Sequence, residues 1–561
     1  METTLLKSII NTLEINGVYS ELEYAEGYEI VVRDDIVEKG RRGKDSKVMI
    51  CFIQMSDMHV IDASSPGRAG FVKNISHQID NPDCCRPYEL LSTQIIESMI
   101  QRINNIRGPN SDGDISFIVS TGDNCDSHQY NELRTFIDLM DGNIIYPNNT
   151  EYIGVQDNTN QKNYKNFYHP DRHHNLSDIY KLYYGYPDYD NLIESACYPF
   201  KATGLKFPWY TCNGNHDSLI LGNYSLCDKD IYNLLNNFVT GNLPQFGSHM
   251  IQYMSIDNIH NFLKALNNKD IEAMKYIFST SVLRPIEKCS DRRHYNKTEY
   301  IQEHFNTNDV PGPIGHGFGI DNLKNETLYY EFEIDNDIIG IMLDSCNHHG
   351  NPDQFELAPN GSFDEGQIKW LKKVLKKYSN CYLDKKGEKI CSNNTFKYII
   401  LFSHHNSQSL NNGYSKTEKR YELEAFKSII CRFPNIILWV NGHIHRNYIE
   451  LHKNECIPGY GFWEITTCSH IDYPQQCRAI EIIDNDNSTL SIFTTLIDHL
   501  ADPKYTNLTT EYTTLQMASI ARELAYNDPH INHKNFRLGL PKDRNTELLL
   551  LNPILFQEYT L

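Results

Sequence analysis

The 561-residue chain has no surplus of basic charge: 52 lysines and arginines stand against 72 aspartates and glutamates, for a formal net charge of −20. A chain so acidic is a poor partner for nucleic acid, whose binding depends on neutralising phosphates with Lys and Arg. Small anionic substrates stay open, because a bound cation reverses the sign of the potential locally. No apolar run reaches the roughly 20 residues that cross a bilayer, so no membrane span is expected. The opening stretch METTLLKSIINTLEINGVYS has one lysine and no long apolar core, unlike a secretory signal. The 15 cysteines show no repeated Cys-x-x-Cys spacing, and only Cys84 and Cys85 are adjacent. They read as free thiols in a reducing compartment, so a cytoplasmic location is expected. No internal repeat is evident either.

What the chain does have is a recurring unit, an apolar run of strand length that ends abruptly in polar, ligand-type residues. The runs are VMICFIQMSDMH (48–59), ISFIVSTGDNCD (115–126), FPWYTCNGNHD (207–217), YIILFSHHN (398–406) and IILWVNGHIH (436–445). IIGIMLDSCN (338–347) has the same shape. Continuous apolar runs read as strands buried on both faces. Between them, residues 90–106 and 364–378 carry apolar side chains at helical spacing. Strands alternating with helices predict an α/β fold, whose ligands gather beyond the carboxyl ends of the strands. The organisation expected is an N-terminal extension (1–46), a core (47–500) and a C-terminal segment packed on it (501–561). Two insertions interrupt the core: a Tyr-, Asn- and Asp-rich one at about 131–198, and one at about 219–331 that includes the helical stretch NIHNFLKALNNKDIEAMKYIF.

In order, the polar clusters spell D-x-H, G-D-x-x-D, G-N-H-D, H and G-H-x-H. Any one is weak, but five in order at strand ends make a pattern. With these motifs the chain resembles the calcineurin-like metallophosphoesterase superfamily. The resemblance implies a four-layer sandwich of two mixed sheets flanked by helices, with a two-metal site at the strand ends. It implies Asp57, His59, Asp123 and His445 as ligands of one metal, and Asp123, Asn215, His404 and His443 as ligands of the other, with Asp123 bridging. Mixed carboxylate and imidazole ligands suit Mn, Fe or Zn. A pair of such cations suits the hydrolysis of phosphate esters, and the neutral amide of Asn215 keeps the site cationic for an anionic substrate. His216, directly after a ligand, then projects differently and is the candidate general acid, with the Asp126 carboxylate expected to orient it. A packed structural histidine is the plain alternative. Of His404 and His405, the first is taken as the ligand. Asn124, Asn441 and Asp217 are placed beside ligands as supporting or turn-forming residues.

Departures from the superfamily's patterns narrow the expectation. Ser127 and Asp217 stand where protein Ser/Thr phosphatases carry arginine and glutamate, and Asp126 where purple acid phosphatases carry tyrosine. A closer likeness, running from about 48 to 550, is to a bacterial subgroup with long inserts. It is carried by GHGF (315–318), LDSCN (343–347), GFWEITTCSHIDYPQQCR (461–478), ARELAYNDP (521–529) and DRNTELLL (543–550). Many members of that subgroup are exported by a twin-arginine signal, whereas GRRGK (40–44) lies internally here, so that route is not expected. In these stretches and beside them His316, Arg446, His470, Asp472 and Arg478 are candidates for substrate contacts, arginine suiting phosphate oxygens. The competing reading is that 461–478 is a strand and turn packed behind the site. The expected substrate is a small or nucleotide-type phosphodiester. A phosphomonoester, a nuclease substrate and a non-catalytic interaction protein on the same fold are the alternatives.

Overall fold

The structure, a computed structural model, describes residues 3–558 except 16–17, 69, 72–84, 149–151, 153, 158–164, 173–175, 226–227, 244–246, 309, 351–359, 416, 507–510 and 530–534. Thr150, which would complete the glycosylation-type triplet at Asn148, lies outside the described residues.

The apolar runs form strands, and they pair into two large sheets. Counting only the strands of these sheets, they are β1 (Val31–Arg33), β2 (Lys47–Met55), β3 (Phe117–Ser120), β4 (Trp209–Thr211), β5 (Tyr330–Asp335), β6 (Ile338–Met342), β7 (Tyr398–Phe402), β8 (Ile436–Asn441), β9 (Tyr448–Lys453), β10 (Gly461–Thr466), β11 (Gln476–Asp484), β12 (Thr489–Asp498) and β13 (Thr546–Leu551). The first sheet has the order β1-β13-β12-β11-β2-β3-β4 and the second β5-β6-β7-β8-β10-β9. β2, β3 and β4 run parallel, as do β6, β7, β8 and β10, while the remaining pairings are antiparallel apart from β1 with β13. Both sheets are therefore mixed, as expected. Residues 1–46 and 501–561 are not separate from them, since each supplies a strand, β1 and β13, to the first sheet.

Register places the site. Met55 pairs with Ser120 and Ser120 with Thr211, so β2, β3 and β4 end in line. Met342 pairs with Phe402 and Phe402 with Val440, so β6, β7 and β8 do likewise. The loops leaving these six ends start side by side.

Why the runs are continuously apolar is visible in the second sheet, where alternate residues serve two cores. Tyr398, Ile400 and Phe402 face the first sheet, and Ile399 and Leu401 face outward. Between the sheets Phe402 lies edge-on to Phe52 with ring centroids 5.9 Å apart, and Phe117 meets Phe332 at 5.8 Å. Outside the second sheet pack the helices at Glu365–Lys377 and Leu423–Ile430, through Ile368, Leu371, Phe426 and Ile430. Outside the first pack α1 (Ser92–Ile103) and α2 (Tyr130–Asp141), through Ile96, Met99, Leu133 and Phe136. The result is four layers.

Four tyrosines of the first insertion are packing residues, while Tyr146, Tyr183 and Tyr198 are exposed. Tyr168, Tyr180, Tyr186 and Tyr189 form a satellite core with Tyr19, Leu22 and the helix at Thr514–Tyr526. The helical stretch of the second insertion is two helices, Ile256–Asn267 and Ile271–Thr280. Lys269 turns left-handed between them (φ 57°), and the Asp270 side chain caps the second helix at the Ala273 N–H. Not all cysteines are free thiols, which corrects the sequence reading: Cys381 and Cys391 form a disulfide across a short hairpin. With that bond the cysteines no longer point to a reducing compartment. No helix among the described residues is long and apolar enough to cross a membrane.

Candidate metal centre

The first-sheet loops are held together by an extension of the β2–β3 pairing. Asp57 N–H donates to Gly122 O (3.0 Å), His59 N–H to Asp123 O (2.9 Å) and Val60 N–H to Asn124 O (2.8 Å). Asp57, His59 and Asp123, together with His443 and His445 beyond β8, all adopt left-handed backbone angles (φ 44–73°). For non-glycine residues this costs on the order of 1–3 kcal/mol each, and it persists where the surroundings over-determine it. Two glycines show how tight those surroundings are. A Cβ on Gly214 would stand 2.1 Å from Asp123 Oδ1, and one on Gly442 would stand 2.4 Å from Asp57 Oδ2 and 1.9 Å from Ser56 Oγ. The glycines of G-N-H-D and G-H-x-H are thus required by the close approach of the Asp123 and Asp57 carboxylates.

The seven expected ligands come together in two sets that share Asp123. In the first, His59 Nε2 and His445 Nε2 lie 3.2 Å apart, His445 Nε2 is 3.4 Å from Asp57 Oδ1, and His59 Nε2 is 3.8 Å from Asp123 Oδ2. In the second, His404 Nε2 lies 3.1 Å from Asp123 Oδ2, 2.9 Å from Asn215 Oδ1 and 3.2 Å from His443 Nδ1. Tautomers follow from the outer partners. His404 Nδ1 faces the Thr121 carbonyl at 2.8 Å and must carry the proton. His59 Nδ1 donates to Asp126 Oδ1 (3.0 Å), and His445 Nδ1 to Asp472 Oδ2 (2.6 Å). The Asn215 amide NH2 donates to Gly222 O (3.2 Å), which turns its carbonyl inward.

Imidazole nitrogens, a carbonyl and carboxylate oxygens therefore converge, with the Nδ1 protons of His59, His404 and His445 turned outward. Such a set is satisfied by cations, and its N and O chemistry fits Mn, Fe or Zn. Electrostatics agree. Burial lowers the pKa of His404, yet the Asp123 and Asp57 carboxylates raise it to about 9, so the site calls for positive charge there. Asp57, His59, Asp123, Asn215 and His404 are buried, and His443 is half-buried.

His216 stands close to the donors as well, its ligand atom lying within 4.8 Å of those of His59 and Asp123. Its N–H donates to Asp123 Oδ1 (2.8 Å), and its ring is half-buried, edge-on to His59 at 4.6 Å. Its Nδ1 bonds the backbone carbonyl of Asp126 at 2.6 Å, not the carboxylate. This corrects the expected division of labour. Asp126 orients His216 through its main chain, while its carboxylate holds His59 and pairs with Arg68. Burial raises the Asp126 pKa, but the Arg68 guanidinium overcomes this and holds it well below the carboxylate range.

Supporting residues have definite partners. Asp217 accepts from the N–H groups of Asn124 (3.0 Å), Cys125 (2.9 Å) and Gly214 (2.8 Å), locking the β3 loop to the β4 loop; burial raises its pKa to about 6. Asn441 donates to Glu464 Oε1 (2.7 Å) and accepts from Thr466 Oγ1 (2.6 Å). His405 bonds Ser345 Oγ (2.9 Å) and is buried beside His443.

The five candidate substrate residues fare differently. Arg478 is fully buried, donating to Thr467 Oγ1, Thr494 Oγ1, Asn447 Oδ1 and the carbonyls of Asp543 and Arg544, which ties β11 to the C-terminal turn. It cannot reach substrate. Nor can His316, stacked on Trp209 at 3.5 Å and bonded to His304 in the core behind β4. His470 is buried behind Asp57, its Nδ1 2.9 Å from Ser56 O. Asp472 braces His445. Arg446 is half-buried, with its guanidinium 4.2 Å from the centre of the Phe536 ring. Sequence reasoning missed three arginines close to the ligands, Arg68, Arg86 and Arg537, which pair with Asp126 or Asp472.

No protein-family model matches the chain, and no curated protein does. Similar solved structures include a dimetal phosphatase from Danio rerio (TM-score 0.34, 12% identity, covering 81% of this chain and 100% of that one). A purple acid phosphatase from yellow lupin matches with a TM-score of 0.26 and 10% identity, over 85% of this chain and 54% of its own. GAP50, described as the anchor in the inner membrane complex of Plasmodium, matches with 0.22 and 11%, over 81% and 85%. At these scores none of them bears on the assignment, which rests on the side chains above.

Proposed function

We propose that the chain hydrolyses phosphate esters at a two-metal centre, with a small or nucleotide-type phosphodiester as substrate, and that it is a member of the calcineurin-like metallophosphoesterase superfamily. The observation that carries the reading is the convergence of two donor sets on one shared carboxylate, Asp123, with the Nδ1 atoms of His59, His404 and His445 committed to outer partners. Bound there, two cations would supply Lewis acidity towards a phosphoryl group and its attacking water.

The chain's own residues do the rest. The Asp126 carbonyl holds the proton on His216 Nδ1, which leaves Nε2 as the atom that, once protonated, donates to the departing ester oxygen. The ring is half-buried, so an ester can approach it from solvent. Asn215 contributes oxygen without negative charge, so the second donor set carries only the shared carboxylate. Asp217 fixes the spacing of the two loops that bear Asp123 and His216. The likeness to the bacterial long-insert subgroup is part of the same reading.

The test is metal content together with hydrolysis of paired aryl mono- and diesters by wild type, Asp123→Asn, Asn215→Ala and His216→Asn. Asp123→Asn should lose metal. His216→Asn should keep metal and lose turnover on poor leaving groups. If His216→Asn lost metal while Asn215→Ala kept it, the assignment of roles would be wrong. Metal binding with no hydrolysis of any ester would favour the non-catalytic alternative.

A further inference from the structure

The two histidines of the first donor set are each braced by a buried carboxylate, Asp126 behind His59 and Asp472 behind His445. Arg86 lies between these carboxylates. Its Nε donates to Asp472 Oδ1 at 2.8 Å, its Nη2 lies 3.5 Å from Asp472 Oδ2, and its Nη1 lies 3.8 Å from Asp126 Oδ1. Tyr88 adds a hydroxyl to Asp472 Oδ1 (2.8 Å). On the outer sides Arg68 pairs with Asp126 and Glu89, and Arg537 with Asp472. Arg86, Asp126 and Asp472 are all 1–2% exposed. The chain His59–Asp126–Arg86–Asp472–His445 closes into a ring through the 3.2 Å approach of the two Nε2 atoms.

We propose that Arg86 is a positioning residue that sets the geometry and affinity of one metal position, the one formed by Asp57, His59, His445 and Asp123, and leaves the other largely untouched. This rests on the two-metal reading above. Two carboxylates buried at such depth repel one another, and Arg86 places a cation between them in addition to Arg68 and Arg537 on the outer sides. A planar guanidinium can engage both at once, where an ammonium offers a single point charge. With both carboxylates fixed in place, each imidazole has one tautomer and one ring angle. At the second position the braces of His404 and Asn215 are neutral, the Thr121 carbonyl for His404 and the Gly222 carbonyl for Asn215. The two positions are therefore unequal, the first being the tighter.

The experiment is titration of the metal-stripped full-length chain with Mn2+ or Zn2+ alone, by calorimetry and by elemental analysis after equilibrium dialysis, for wild type, Arg86→Gln, Arg86→Lys and Arg522→Gln. Arg522 is an equally buried arginine that binds the carbonyls of His499 and Ala501 and touches no ligand brace. Wild type should show two unequal sites. Arg86→Gln should keep the weaker site and bind at the tighter one about 10–100-fold less well, with Arg86→Lys affected in the same direction because it retains charge but not the fork. Arg522→Gln should lower thermal stability and leave both sites alone. Two wild-type affinities in Arg86→Gln would overturn the proposal, as would equal weakening by Arg522→Gln. If wild type itself took up no metal, the two-metal reading would fall first.

Discussion

Gly442→Ala isolates the geometry of the site from its chemistry, because it adds one methyl group and removes no ligand. Real Cβ contacts essentially never fall below 3.0 Å, yet this one would stand 1.9 Å from Ser56 Oγ and 2.4 Å from Asp57 Oδ2. Ser56 can move only by leaving its bonds to Asp57 Oδ2 (2.5 Å) and Thr121 Oγ1 (2.7 Å). Asp57 cannot retreat freely either, since both its oxygens accept the His443 N–H at 3.1 Å. The strain should cost about 1–3 kcal/mol of stability, as overpacking does. A ligand oxygen displaced by roughly half an ångström or more should weaken metal binding at the Asp57 position by about 10–100-fold, the scale seen when ligand supports are removed. Metal titration alongside a thermal melt reads both numbers. Wild-type affinity at both positions in a folded Gly442→Ala protein would refute the placement of Asp57 as a ligand.

Other consequences are as direct. His216→Asn should reduce turnover about 10²–10⁴-fold for esters with poor leaving groups and far less for nitrophenolate esters, which need no proton; a uniform loss would argue against a proton-donating role. Arg478→Met strands several buried acceptors and should destabilise the fold by about 3 kcal/mol in urea melts, with KM unchanged. Glu523, buried beside Tyr19 and Tyr189, has its pKa raised from 4.5 to about 7, mainly by burial. The folded state therefore holds this proton more tightly than the unfolded one, and stability is lost as pH rises from about 4.5 through about 7, by up to about 3 kcal/mol. Glu523→Gln should remove that loss, gaining stability at pH 8 and little at pH 4; equal effects at both pH values would contradict it.

The sheets and the cluster of candidate donors were legible for a physical reason. Strands buried on both faces must be continuously apolar, and the residues that end them, Asp57, Asp123, Asn215, His404 and His443, differ abruptly from what precedes them. The braces were not legible. Arg86 sits in RPYEL, far from every motif, and only the fold brings it between Asp126 and Asp472. Arg478, for which packing behind the site was the competing reading, and His316 could not be resolved from sequence, because an arginine packed against carbonyls and a histidine stacked on tryptophan have the same letters as substrate contacts. Asp126 was read as orienting His216 with its carboxylate. One residue offers both a carboxylate and a carbonyl, and sequence cannot say which of them turns towards which histidine.

The central claim is that one carboxylate, Asp123, is shared by two cation positions. The direct measurement is the number of Mn2+ or Zn2+ ions bound per chain by wild type and by Asp123→Asn, both confirmed folded by circular dichroism. Two ions in wild type, with both positions weakened by the single substitution, is the predicted result. One ion in wild type, or two ions retained at full affinity in Asp123→Asn, would contradict it.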